Sequence, residues 1–513
     1  MEIMLRLFGL LNKIVGFFLT PLLMLIFGGL KERKKIPKID NPMLELCAVD
    51  LAEKIRDRQA DGLHQYIKRI RGVEPFLNAV IENRFEDAIS DAQRADKIIA
   101  ETSPIYAITN YPLLGVPFTV KESIAVKGMS HVCGSIPRAG TKATKDAVVI
   151  ERLRAAGAIP LLVSSTPEYC LSWECCTHLK GRTFNPYDAS RTSGGSSGGE
   201  GALNGAAATV FGIGSDIAGS IRLPAMFNGV FGHKPTEGII SLDGHFPSST
   251  DKNFNKYLTI GPMCRYAKDL PTLIHLMADE EKRKLLRLDE PLHTKDINIL
   301  YLTSAGFSTC LWNVEHSIQM KMLEAVSHFR SNGLHCEQPD FGDMTETLEI
   351  SVSTFFAMED IPDLLSNAKT SDPKDLWTEL GKSMIGRSDY TFYALFFFSL
   401  HATGGLISPS RKDSYIKKGV ELKQKILDRL STNGVLLYPT FPQPAMRHTE
   451  SPSKMSGVMY TMFFNLMGFP STHMGLDENG LPIGFQVVAA PYQDRNCFAI
   501  ARELETAFGG WRQ

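Results

Sequence analysis

From Ile14 to Leu30 the chain reads IVGFFLTPLLMLIFGGL, seventeen residues without a charge. At 1.5 Å per helical residue this is the lower limit of what spans a bilayer core of about 30 Å. The pattern predicts a retained membrane anchor over residues 1–30 and a basic, polar linker over 31–43. A cleaved signal peptide asks for a small-residue exit, and Phe27-Gly28-Gly29 is a poor one. Pro21 and the short span leave single-pass and monotopic insertion both open.

Beyond Met43 the pattern changes. Cys47, Leu51 and Ile55 recur as one helical face, and a second helical stretch runs from Arg84 to Ala100. LLGVPFTVKE (Leu113 to Glu122) reads as a buried strand that ends on a lysine. Val148 to Ala156 reads as helix, and AIPLLVSS (Ala158 to Ser165) and TVFGIGSD (Thr209 to Asp216) read as strands. GVLLYP (Gly434 to Pro439) and PIGFQVVA (Pro482 to Ala489) are further strands. Cys497, Ala501, Leu504 and Phe508 mark a last amphipathic helix, stopped by Gly509-Gly510. This interleaving predicts an α/β fold, a sheet covered by helices on both faces, in one large domain over residues 44–513. No internal repeat or low-complexity tract divides it.

Composition narrows the partners. Of 513 residues 43% are hydrophobic, ample for a core, and 55 basic against 56 acidic residues leave a net charge of -1. Nothing in that balance draws the molecule to nucleic acid. Locally, Lys31, Arg33, Lys34, Lys35 and Lys38 follow the apolar span against one Glu32, while only Arg6 and Lys13 precede it. The positive-inside tendency therefore places the body on the cytosolic side, with the endoplasmic reticulum as the expected membrane. Nine cysteines lack the regularity of a disulfide framework. Their one cluster, Cys170, Cys175 and Cys176 with His178, lacks zinc-site spacing and reads as reduced thiols.

Gly194 to Gly201 reads GGSSGGEG. A phosphate loop would need a lysine after the glycines, and none follows; the dinucleotide pattern fails because Gly212-Ile213-Gly214 has Ile217 where its third glycine belongs. GGSSGG matches GxSxG at Ser196 and again at Ser197, but a nucleophile elbow follows a hydrophobic strand, whereas NPYDASRTS (Asn185 to Ser193) is turn chemistry. Taken alone, the cluster also fits a flexible surface loop.

It does not stand alone. GVPFTVKE, then GGSSGGEGA, then GSDIAGSIRLPA, then GHKPTEG (Gly232 to Gly238) follow one another in the order of the amidase signature family, which this chain resembles tightly over residues 113–238 and loosely from about Leu44 onward. The resemblance implies a mixed twisted sheet and a Ser-Ser-Lys triad that hydrolyses amides without cofactor or metal. Carried over, Ser220 is the nucleophile, Ser196 the middle serine in a cis peptide and Lys121 the base. A hydroxyl attacks a carbonyl only as it loses its proton, and a lysine takes that proton only when uncharged. Burial disfavours the charged form, so Lys121 is expected away from water and without a carboxylate partner. Strand alternation then sends Glu122 to the opposite face. The backbone amides of Ile217, Ala218, Gly219 and Ser220 match the family's oxyanion hole, and Ser197, Asp216 and Arg222 its supporting residues. Ala218 stands where the family usually has glycine, which leaves open an altered hole or an unstrained residue.

Within that family the apolar N terminus and the wording SDIAGSIR, FNGVFGHKP and GPMCRYA (Gly261 to Ala267) resemble the fatty acid amide hydrolases, especially their type 2 branch. The implied substrate is a lipid amide met at the membrane, with a homodimer as a possible state. The aromatic stretch YTFYALFFFSLHATGG (Tyr390 to Gly405) reads as an acyl-channel lining or as an ordinary buried helix. Two alternatives stand beside this reading. One is an amidase of small polar amides, as among the glutamine amidases; the other is a catalytically silent membrane-bound binding protein.

Overall fold

The computed structural model describes residues 2–361, 365, 374–478 and 480–512; the side chains of Glu32 and Arg33 in the basic segment lie outside the described set. Eleven strands among these residues form one sheet: β1 (Val80–Asn83), β2 (Pro117–Lys121), β3 (Ile159–Ser164), β4 (Phe211–Asp216), β5 (Phe231–Lys234), β6 (Thr259–Cys264), β7 (Asn298–Tyr301), β8 (Cys336–Glu337), β9 (Gly434–Pro439), β10 (Ser471–Glu478) and β11 (Leu481–Ala489). Their spatial order is β1-β3-β2-β4-β6-β5-β10-β11-β9-β7-β8. β2 runs parallel to β3 and β4, and β7 parallel to β8 and β9. The other pairings are antiparallel, so the sheet is mixed.

Parallel neighbours need a crossover, and helices supply it: Val148–Ala155 precedes β3 and Gly198–Gly205 precedes β4. Helices on both faces bury β2, β3 and β4 at every position, which is why these strands read as apolar runs rather than as alternation. Alternation instead divides the two cores. In β9, Val435 and Leu437 pack into one hydrophobic cluster with Tyr66, Ile70 and Phe329, while Leu436 and Tyr438 pack into the other with Ile426, Phe464 and Met467.

Most predicted elements recur within two residues of their expected ends. The strand expected from Leu113 begins only at Pro117, because Gly115 at φ 78° turns the chain first. Six strands, β1, β5, β6, β7, β8 and β10, lack a strong apolar signature of their own. β5 and β10 carry polar side chains that the tertiary structure satisfies: His233 Nδ1 and Thr472 Oγ1 lie 2.8 Å apart, and His233 Nε2 lies 3.1 Å from Asp494 Oδ1.

The apolar N terminus forms one helix, Glu2–Phe27, with Pro21 inside it. It starts well before the uncharged span, because Arg6 and Lys13 find partners: Arg6 Nε donates to Glu349 Oε1 at 3.0 Å and Lys13 Nζ to Ser308 O at 3.4 Å. The helix lies along the body. Leu5 and Leu23 are buried, and Gly9 packs so closely on Cys310 that a Cβ there would stand 2.6 Å from the cysteine's own. The opposite face presents Leu7, Leu11, Phe18, Leu22 and Leu25, all exposed. That division places one stripe on the protein and one facing outward.

Candidate active site

Three parallel strands end side by side. β2 ends on Lys121, β3 on Ser164 and β4 on Ser215-Asp216, with Lys121 paired to Ser164 across the sheet. The carboxyl ends of parallel strands are where open α/β sheets build their sites. Lys121 is fully buried; its Nζ lies 2.7 Å from Ser196 Oγ, 2.9 Å from Ser215 Oγ and 3.4 Å from Ser215 O. Among the described residues it makes no ion pair, and its polar contacts are to Ser196 and Ser215. Glu122 turns the other way, where Oε1 accepts from Ser130 Oγ at 2.6 Å and Oε2 from the Gly134 amide at 3.2 Å. Burial raises its pKa above the ordinary carboxylate value. Another buried carboxyl, Glu200, accepts from Thr119 Oγ1 at 2.5 Å instead of pairing with the lysine, and burial pushes its pKa up to about 7.

The glycines around Ser196 answer a packing demand. A Cβ on Gly195 would lie 2.4 Å from Ser172 O, and one on Gly199 2.6 Å from Ser165 N, so backbone passes where no side chain fits. The Gly195–Ser196 peptide is cis. Gly198–Gly205 is a helix, against its glycine content, because that content lets it press on the neighbouring backbone. The Ser197 amide donates to Ser220 O at 3.1 Å, and Ser197 Oγ lies 3.3 Å from Ser215 O and 3.4 Å from Ser215 N. Ser197 therefore ties the glycine loop to both the β4 end and the loop that carries Ser220. Ser196, Ser215 and Ser220 line one cavity, and Ser220 Oγ has no hydrogen-bond partner among the described residues.

Asp216 and Arg222 form a fully buried ion pair at 3.0 Å. Burial alone would raise the aspartate's pKa, but the Arg222 charge and hydrogen bonds, with the Ile221 amide and Asn465, hold it well below the usual range. The guanidinium also reaches Gln486 Oε1 at 2.8 Å and Asn465 Oδ1 at 2.6 Å. Asp216 in turn fixes the loop, accepting from the Gly219 amide at 2.7 Å and the Ile221 amide at 3.0 Å. Of the four amides singled out from the sequence, Gly219's is thus engaged, while those of Ile217, Ala218 and Ser220 donate to no atom among the described residues. The positive φ in this loop, 101°, falls on Gly219 and not on Ala218. The alanine is accommodated without backbone strain.

From Ser220 a larger cavity of about 140 Å³ runs outward through mostly apolar surroundings. The aromatic stretch supplies part of its wall: Tyr390 to Gly405 contains the helix Phe392–Ala402, whose Tyr393, Phe396 and Phe397 line the cavity. Leu5, Phe8 and Gly9 of the N-terminal helix line it as well. Sequence reasoning did not foresee that contact, nor Ser215 or His245 at the inner end, since neither sits in a motif position with a role of its own. The cysteines are all free thiols, and no group of three or more His, Cys, Asp or Glu among the described residues is arranged to hold a metal.

The amidase family model matches residues 61–498. The chain belongs to the amidase signature family. This amidase is 38% identical over 515 residues to fatty-acid amide hydrolase 2-B of Danio rerio, covering 98% of the chain and 97% of the relative. It is 36% identical over 506 residues to fatty-acid amide hydrolase 2 of Homo sapiens, covering 95% and 94%. A solved fatty acid amide hydrolase has the same fold, with a TM-score of 0.72 at 18% identity over 94% of this chain and 89% of that one. The amidase is a serine hydrolase acting on carbon–nitrogen amide bonds, related to the fatty acid amide hydrolases. It is membrane-associated through its N-terminal helix, of which Met4–Phe27 is long and apolar enough to cross a bilayer.

Proposed function

We propose that this amidase hydrolyses amides of long-chain fatty acids, with Ser220 as nucleophile, Ser196 as relay and Lys121 as base. Ser220 Oγ attacks the amide carbonyl while its proton passes to Ser196, whose own proton passes to Lys121 Nζ. The amides of Ile217, Ala218 and Ser220 receive the oxyanion; Gly219, held by Asp216, keeps the loop in shape. On collapse of the tetrahedral intermediate the proton returns through Ser196 to the leaving nitrogen, the amine departs, and water then cleaves the acyl-Ser220 ester by the same relay. Ser197 and the Asp216–Arg222 pair act through the backbone they hold.

One observation carries the reading: the 2.7 Å contact between a buried, carboxylate-free lysine and Ser196, at the inner end of an apolar cavity that Ser220 also lines. A site for small polar amides would be lined mainly with polar groups, and this wall is mostly aromatic and aliphatic. The outward apolar stripe of the N-terminal helix supports monotopic insertion, with the body docked on the cytosolic face of the endoplasmic reticulum membrane beside the basic residues Lys31, Lys34, Lys35 and Lys38.

The test is covalent labelling by a fluorophosphonate together with turnover of long-chain and acetyl amides. Labelling lost in Ser220→Ala and slowed at least a hundredfold in Lys121→Ala, with the long-chain amide preferred, is the expected result. Undiminished labelling of Ser220→Ala, or preference for the acetyl amide, overturns it.

A further inference from the structure

The Lys121 amine has three oxygen neighbours, and the proton relay works only if its lone pair faces one of them. We propose that His245 sets this orientation through Ser215, as a positioning residue for the base. The inference rests on the triad reading above and adds to it the direction in which the hydrogen bonds run.

A backbone carbonyl fixes the tautomer of His245. His245 Nδ1 lies 2.9 Å from Pro247 O, which can only accept, so Nδ1 carries the ring proton. Nε2 of the neutral ring is then an acceptor, and it lies 2.9 Å from Ser215 Oγ. The Ser215 hydroxyl must donate to it, which leaves only lone pairs on Ser215 Oγ facing Lys121 Nζ at 2.9 Å. An uncharged amine has two N–H donors and one lone pair. Ser215 Oγ and Ser215 O, at 2.9 and 3.4 Å, take the two donors. The lone pair is left for Ser196 Oγ at 2.7 Å, where the relay needs it.

Remove the imidazole and the Ser215 hydroxyl is free to reverse. It would then donate to the amine and occupy the lone pair that should receive the Ser196 proton. His245 is suited to the task because it stays neutral. It is buried, its loop is tied down by the His245 amide to Leu242 O at 2.9 Å and the Ala125 amide to Gly244 O at 2.9 Å, and it lines the inner cavity with Ser196 and Ser220. The ionisable groups that bear on it are Cys170, Lys121 and His131, and burial lowers its own pKa to about 4. Nothing in the local sequence, Gly244-His245-Phe246-Pro247, marks this histidine.

The experiment compares His245→Leu, His245→Gln, Ser215→Ala and the His245→Leu/Ser215→Ala double variant, by kcat and KM for a long-chain amide and by fluorophosphonate labelling rate across pH. His245→Leu is expected to lose about ten- to a hundredfold in kcat with KM unchanged, less than the roughly hundred- to ten-thousandfold that a general base itself contributes, because the base is misaligned and not removed. Its acidic limb moves to lower pH, because a hydrogen bond donated to the amine's lone pair favours the uncharged form. His245→Gln, which returns an amide oxygen to the Nε2 position, keeps activity within about threefold of wild type. Because the two residues act as one unit, the double variant is expected to lose no more than the worse single variant. Equal losses in the leucine and glutamine variants, an acidic limb that stays in place, or multiplying losses in the double variant overturn the proposal. Should His245→Leu fail to fold, His245→Asn, whose shorter amide does not reach the Nε2 position, takes its place for the pH profile and for comparison with His245→Gln. Failure of the triad itself is read separately, from Ser220→Ala and Lys121→Ala.

Discussion

Arg6, in the first turns of the N-terminal helix, donates to the buried carboxylate of Glu349 at 3.0 Å. Burial raises the Glu349 pKa, so the arginine is what makes an ionised carboxylate tolerable there. The helix is therefore fastened to the body by charge as well as by packing. Arg6→Ala is expected to lower the thermal midpoint in detergent, and adding Glu349→Gln to recover part of the loss, since the neutral amide needs no cation. Simple additivity of the two substitutions would argue against the coupling.

The apolar cavity makes substrate length a steric quantity. Val352 lines it on the helix Thr347–Phe355. Val352→Trp is expected to exclude the distal part of a long acyl chain while sparing an acetyl group. At about 0.8 kcal/mol per buried methylene, losing two of them costs roughly tenfold. The ratio of kcat/KM for long-chain over acetyl amide should fall by about that factor or more.

Asp216 joins the guanidinium of Arg222 to the amides of Gly219 and Ile221 with no solvent nearby. Asp216→Asn leaves Arg222 buried beside neutral partners, and breaking a buried pair in this way costs about 3–5 kcal/mol. A marked fall in the urea midpoint is expected, accompanied by slower fluorophosphonate labelling of Ser220, because the loop that carries the proposed nucleophile loses its anchor. A substitution that destabilised the protein while leaving the labelling of the folded fraction intact would count against the anchoring role.

Glu200 supplies a pH test. Its folded pKa of about 7 stands above the unfolded value of 4.5, so the folded state holds this proton more tightly. The stabilising contribution is fully present below about 4.5 and is lost as pH rises through about 7. Glu200→Gln carries no such loss. Urea denaturation of both proteins from pH 4.5 to 8 should show the variant gaining stability relative to wild type across that window. Parallel curves would mean that Glu200 titrates normally.

Gly219 tests the proposed oxyanion loop. Its φ is 101°, and an added Cβ would lie 2.2 Å from Thr461 Oγ1. Gly219→Ala is expected to cut kcat far more than it raises KM, because the neighbouring amides lose their aim at the developing charge. Ala218, without positive φ, should accept replacement by glycine with little change in kcat.

The chain's own sequence determined the order of helices and strands, the apolar N terminus and the positions of Lys121, Ser196, Ser220, Asp216 and Arg222. These are local matters: a run of buried residues reports a strand, and a glycine-rich loop reports backbone that must pass close to its neighbours. The tertiary structure decided which faces meet and which way hydrogen bonds point. Periodicity says that one face of the N-terminal helix is apolar, yet only packing decides that Leu5 and Phe8 line the same cavity as Ser220. Spacing says nothing of His245 either, because a hydroxyl's direction depends on every partner around it, and Pro247 O, Ser215 and Lys121 meet only once the sheet is assembled.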